Sequence, residues 1–116
     1  MAQEKFDLEE RTLKYSKRIL GLCRVLPKNK INLEIQDQLF RSASAVGANY
    51  REANDALGKK DFVMRIKIAR KEAKEAEYWL ELVAESNPEL KDRLQEIRNE
   101  TIELKKILSA IIQKVK

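Results

Sequence analysis

The 116-residue chain contains no histidine, one cysteine, three glycines and two prolines. Each shortage removes a class of function or fold. Without histidine the usual partner of a nucleophilic serine or cysteine is missing, and so is the commonest metal ligand. A single cysteine, Cys23, makes an intrachain disulfide impossible, suits a reducing compartment and reads as a small buried apolar residue on the first helix. So few glycines and prolines leave room for few turns, and no glycine-rich loop is present to cradle a phosphate. Aromatic residues make up only 6% of the chain. No stretch approaches the roughly 18 consecutive apolar residues of a membrane span, and residues 1–7 lack the apolar run of a signal peptide. A cytoplasmic protein with no membrane association follows as the expectation.

What remains is charge and hydrophobic periodicity. Charged residues are 37% and hydrophobic residues 43% of the chain, with a formal net charge of +5. The apolar residues recur at helical spacing, which argues against disorder and for one all-α domain with a core of useful size. The pattern predicts four helices at about 8–26, 33–57, 61–85 and 88–115. Asp7 is the expected cap of the first, Asn32 of the second and Asp61 of the third, with Gly58 ending the second and Asn87-Pro88 opening the fourth. Leu8, Thr12, Tyr15, Ile19, Leu22 and Leu26 form the first stripe, and stripes of similar spacing follow on the other three. Connections of about two to six residues between them predict an antiparallel up-down four-helix bundle.

Residues 41–53 stand out within this pattern, because Ser42, Ala43, Ser44, Ala45, Gly47 and Ala48 make the second helix thin. Gly47 costs a helix about 1 kcal/mol relative to alanine, a cost that suggests close packing needs the missing side chain. The alternative is a buried polar cluster of Arg41, Asn49 and Glu52 that fixes the register of the helices. Apolar residues beyond the single stripe that a monomer needs, namely Leu13, Leu20, Ile68, Leu82, Ile102, Ile107 and Ile112, would leave apolar surface exposed. They are the expected interface of a homo-oligomer.

Several segments are also recognisable in order and spacing: Gln38-Leu-Phe-Arg41, Ser44-Ala-Val-Gly-Ala-Asn49, Tyr50-Arg-Glu-Ala53, Lys60-Asp-Phe62, Ile68-Ala-Arg-Lys-Glu72 and Glu77-Tyr-Trp-Leu80. With them, roughly residues 6 to 112 resemble the bacterial 23S rRNA intervening sequence protein family, also called S23 ribosomal proteins. The resemblance implies a four-helix bundle assembled as a ring-like homopentamer with no established enzymatic activity. The bundle is also similar in fold to the accessory variability determinants of diversity-generating retroelements, which bind a reverse transcriptase and nucleic acid.

The paired acids Glu72 with Glu75 and Glu52 with Asp55 lack the histidine that di-metal bundle sites use, so they read as solvated faces or ion pairs. Neither metal, cofactor nor catalytic residue is expected. Basic residues carry more information, since Arg11, Lys14, Lys17, Arg18, Arg24, Lys28 and Lys30 occur in a span without any acid between Glu10 and Glu34. Lys105 and Lys106 are expected beside the start of the first helix in an antiparallel bundle. One reading of these nine cations is a surface for the backbone of RNA or DNA, multiplied in an oligomer. The other is a solubilising surface with lysines at helix ends. The expected function is therefore a non-enzymatic nucleic-acid-associated scaffold or accessory protein, with itself, a nucleic acid and a protein such as a nucleic-acid enzyme as partners. A protein adaptor or structural oligomer without nucleic-acid binding is the alternative.

Overall fold

The computed structural model describes residues 2–115, with side chains from Leu8 onward. Four helices follow one another, α1 (Ala2–Val25), α2 (Lys30–Asn54), α3 (Lys59–Ser86) and α4 (Lys91–Val115), with a 3-10 turn at Pro88–Leu90. Cross-helix partners run in opposite order: Asn54 meets Glu9 and Gly47 meets Thr12 between α1 and α2, while Asn49 meets Arg65 and Arg41 meets Glu75 between α2 and α3. Likewise Arg70 meets Ser109 and Arg98 meets Glu81 between α3 and α4. Every neighbouring pair is thus antiparallel, giving an elongated bundle of 44 × 22 × 19 Å.

The stripes supply the core. Tyr15, Ile19 and Leu22 of α1, with Leu26 just beyond its end, are buried against Leu39 and Val46 of α2, Ile66 and Leu80 of α3, and Leu94, Leu104 and Leu108 of α4. α2 and α3 form the most extensive pair, while α1 and α4 touch over a short stretch. Small side chains explain the difference, since Ala69, Ala73 and Ala76 on α3 and Ser42 on α2 are completely buried and leave little between the two backbones. On the thin side Tyr15 and Thr101 join α1 to α4 by a buried 2.7 Å hydrogen bond. Thr101 Oγ1 already donates to the Ile97 carbonyl at 2.8 Å, so the tyrosine hydroxyl is the donor.

Several helix boundaries differ from the sequence pattern. α1 runs back to Ala2 instead of starting after Asp7, because Ala2-Gln-Glu-Lys-Phe6 contains nothing that disfavours a helix; the Asp7 side chain lies outside the described residues. Asn29, not Asn32, caps α2, accepting from the Asn32 N–H at 2.8 Å. That shift carries the Asn32 side chain inside. α2 ends at Asn54, so Leu57 is fully exposed rather than part of the buried face. Gly58 is the extended residue before α3, with φ −169°, and not the end of α2. Asp61 accordingly sits in the first turn of α3, placing negative charge near the positive end of the dipole without capping it.

Candidate nucleic-acid interface

The nine cations expected to meet nucleic acid separate into three groups. Arg11 is held by Glu100 of α4 in a two-pronged contact, Nε to Oε2 at 2.7 Å and Nη2 to Oε1 at 2.8 Å. This hydrogen-bonded carboxylate raises the guanidinium pKa above its ordinary value despite partial burial. Lys28 donates to the Cys23 carbonyl at 3.0 Å and so closes the end of α1. Both are structural contacts.

Lys14, Lys17, Arg18, Arg24 and Lys30 are exposed and make no ion pair among the described residues. Lys17 and Arg24 share their outward strip with Leu13 and Leu20, which are 41% and 37% exposed. Leu13, Lys17, Leu20 and Arg24 succeed one another at steps of four and three. Self-association through the leucines and phosphate binding through these two cations would therefore compete for one strip of α1.

The third group lies elsewhere. Lys105 pairs with Glu77 of α3, and Lys106 lies 3.8 Å from Glu103. Antiparallel packing does bring the end of α4 beside the start of α1, but these two lysines turn toward α3. There they line a groove of about 750 Å³ whose opposite wall is Lys67, Arg70, Lys71 and Lys74 of α3. Arg70 reaches across to Ser109 Oγ at 3.3 Å. Lys67, Lys71 and Lys74 are exposed and make no ion pair among the described residues. The sequence contained a signal for this wall, cations at i, i+3, i+4 and i+7, the first three of them in a stretch free of acid from Phe62 to Lys71.

The polar cluster does not form. Arg41 is exposed and reaches Glu75 of α3 at 2.6 Å, Glu52 points to solvent, and Asn49 is half-buried, donating to the Ala45 carbonyl and accepting from Arg65. Residues 41 and 52 are three helical turns apart on the same outward side of α2, where both are exposed, so no common buried site is available to them. Close packing accounts for the stretch instead, since a Cβ on Gly47 would lie 2.9 Å from Thr12 Oγ1 and 3.1 Å from Thr12 Cβ. Ala48, on the other side, is exposed.

The surplus apolar residues also divide. Ile112 is buried in the monomer core rather than available to another subunit. The sequence stripe of α4 runs through Leu94, Ile97, Thr101, Leu104, Leu108 and Ile111, and the 3.6-residue period has by the end of the helix moved the core position to Ile112. Leu82 and Ile107 pack against the core, Ile68 and Ile102 line grooves between α3 and α4, and Leu13 and Leu20 remain exposed.

Burial raises the Cys23 thiol pKa, against the lowering effect of Lys28. Among the described residues no group of three potential ligands could hold a metal ion, and no helix is long and apolar enough to cross a membrane.

An all-helical bundle with a lysine-walled groove defines the class of protein. The family described as 23S rRNA-intervening sequence protein matches residues 4–110, and the chain belongs to that family. A crystal structure of a protein of unknown function from the S23 ribosomal protein family of Bacteroides thetaiotaomicron is similar at 33% sequence identity. The likeness covers 94% of this chain and 97% of the other, with a TM-score of 0.86. Among curated proteins none matches the chain.

Proposed function

We propose that the protein is a non-enzymatic, homo-oligomeric nucleic-acid-binding protein that holds an RNA or DNA backbone in the groove between α3 and α4. The observation that carries this reading is the opposition of Lys67, Arg70, Lys71 and Lys74 to Lys105 and Lys106 across one groove. Six cations facing a common channel would release condensed counterions from a phosphate chain, a favourable term that carries no sequence information. Lys14 and Arg18 add a second region of positive potential on α1. Among the described residues no aromatic side chain lines the groove, so base stacking is not part of this reading. The family's description refers to the intervening sequence of 23S rRNA, which accords with a nucleic acid as partner. Self-association in this reading uses Leu13 and Leu20, and it places the protein in the cytoplasm as a scaffold or accessory factor.

Neutralising about five phosphates predicts that log K falls against log salt with a slope of about −4.5 for duplex and about −3.5 for single strands. Lys67→Gln, Lys71→Gln and Lys74→Gln together are expected to flatten that slope by about two to three, with helix content unchanged. The corresponding changes at Lys14, Lys17 and Arg18 are expected to flatten it less. If the α1 variant alone alters the slope, the interface is α1. Absence of binding by the parent protein in low salt would replace this reading with that of a protein adaptor.

A further inference from the structure

At the end of the bundle where α3 begins and α4 finishes, the groove changes character. Its floor becomes Val63, Met64 and Ile68 of α3 with Val115 of α4, around a depression of about 700 Å³. Met64 is 55% exposed there. Lys59, Lys60, Lys67 and Lys71 form the rim, and among the described residues no carboxylate lines it. We propose that this apolar end is a docking site for an acidic amphipathic helix of a protein partner, whose apolar side chains enter between Met64, Ile68 and Val115 while its carboxylates meet the four rim lysines.

The occupant follows from what each half of the site requires. A phosphate backbone would satisfy the lysines and leave the floor in water, since it has no apolar face to offer. An uncharged apolar helix would cover the floor and leave four ammonium groups crowded together. An acidic amphipathic helix answers both, burying Met64, whose flexible thioether adapts to a partner's shape, and placing carboxylates over the rim. The depression from Val63 to Lys71 is about two helical turns long, roughly 12 Å, which matches apolar anchors at i, i+3 or i+4, and i+7.

The placement of Lys59 and Lys60 adds a second argument. Gly58 is the residue before α3, so these lysines occupy its first two positions, where the dipole favours acids and repels cations. That arrangement costs the isolated helix stability. Carboxylates brought by a partner reverse the sign of the interaction, so the dipole that opposes the lysines strengthens the binding.

The test uses the full-length protein and a fluorescent synthetic peptide of about 16 residues, long enough to cover the floor, with leucine at i, i+3, i+4 and i+7 and glutamate on the flanks. Anisotropy is read at about 0.15 M salt, where charge alone is well screened. Binding is expected for this peptide and not for two controls, one with the leucines changed to serine and one with the glutamates changed to lysine. Met64→Asp, at an exposed position, is expected to weaken binding at least about tenfold with unchanged circular dichroism, the size expected for uncovering a methionine and opposing the carboxylates. Lys59→Glu with Lys60→Glu is expected to shift preference toward the lysine-flanked peptide. Equal binding of the serine control, or full affinity in Met64→Asp, overturns the proposal. So does an RNA hairpin whose binding Met64→Asp weakens while the peptide's is unaffected, which would assign the apolar end to nucleic acid.

Discussion

Asn32 and Asn87 clasp each other across one end of the bundle, each side-chain amide donating to the other's carbonyl oxygen at 3.0 Å. Both side chains are buried, and each also reaches a backbone carbonyl, Asn32 that of Pro27 at 2.9 Å and Asn87 that of Val83 at 3.0 Å. Two segments far apart in sequence are thereby tied together where α1 passes to α2 and α3 passes to α4. Replacing Asn87 by alanine strands the Asn32 carbonyl oxygen in a buried site, and the expected loss is about 1–3 kcal/mol in chemical denaturation. Changing both asparagines to alanine is expected to cost less than the two single losses added together, a coupling that a double-mutant cycle measures directly.

Glycines at two helical positions should respond in opposite directions. Gly47→Ala drives a Cβ into the Thr12 side chain of the facing helix, and Thr12 Cβ cannot rotate away. Overpacking of about 1–3 kcal/mol is expected to exceed the gain of about 1 kcal/mol in helix propensity, so the melting temperature falls. At Gly21 the nearest obstacle is the tip of Arg93, 3.6 Å from the added Cβ. There the propensity term acts alone, and Gly21→Ala is expected to raise stability by about 0.5–1 kcal/mol. A stabilised Gly47→Ala would mean that α1 and α2 can separate at no cost.

Alkaline titration offers a further check. Burial pushes the Tyr15 pKa up to about 12. The folded state holds the phenolic proton more tightly than the unfolded chain does, so this stability is fully present below pH 10 and is lost as pH rises from about 10 to about 12. The contribution to the slope is at most about 1.4 kcal/mol per pH unit. Tyr15→Phe is expected to remove it, and Thr101 keeps its bond to the Ile97 carbonyl in that variant. Stability measured by denaturant titration across this range, in parent and variant, gives the difference.

Arg11 separates structural from binding cations. Its guanidinium is 39% exposed and its partner Glu100 18% exposed, so the pair is worth about 0.2–1 kcal/mol once solvent screening is allowed for. Arg11→Ala is expected to lower stability by that amount and leave the salt dependence of nucleic-acid binding as it was. A flattened slope in this variant would show that the arginine leaves Glu100 to contact phosphate.

The architecture was legible because apolar side chains at steps of three and four leave few alternatives, and the stripes on α1 and α3 are the buried faces of those helices. Gly47 was legible for the same reason, a residue that weakens its own helix and is therefore explained only by a neighbour. The asparagine clasp was not. Asn29 and Asn32 are equally good caps in sequence, and only the approach of Asn87 decides which one turns inward. Ile111 and Ile112 show the limit of pattern near a helix end, where a small drift in period exchanges core for surface. The basic groove was divided between two helices, so neither half looked exceptional until α3 and α4 were side by side.

Lys67 and Lys71 line both the basic middle of the groove and its apolar end. Whatever neutralises them at one place withdraws them from the other, so a polyanion in the middle and a carboxylate-rich ligand at the end are antagonists. Because linkage is reciprocal, each must weaken the other by the same factor. The groove would then behave as a two-input exchange, loading one cargo as it releases the other without any change in the shape of the bundle.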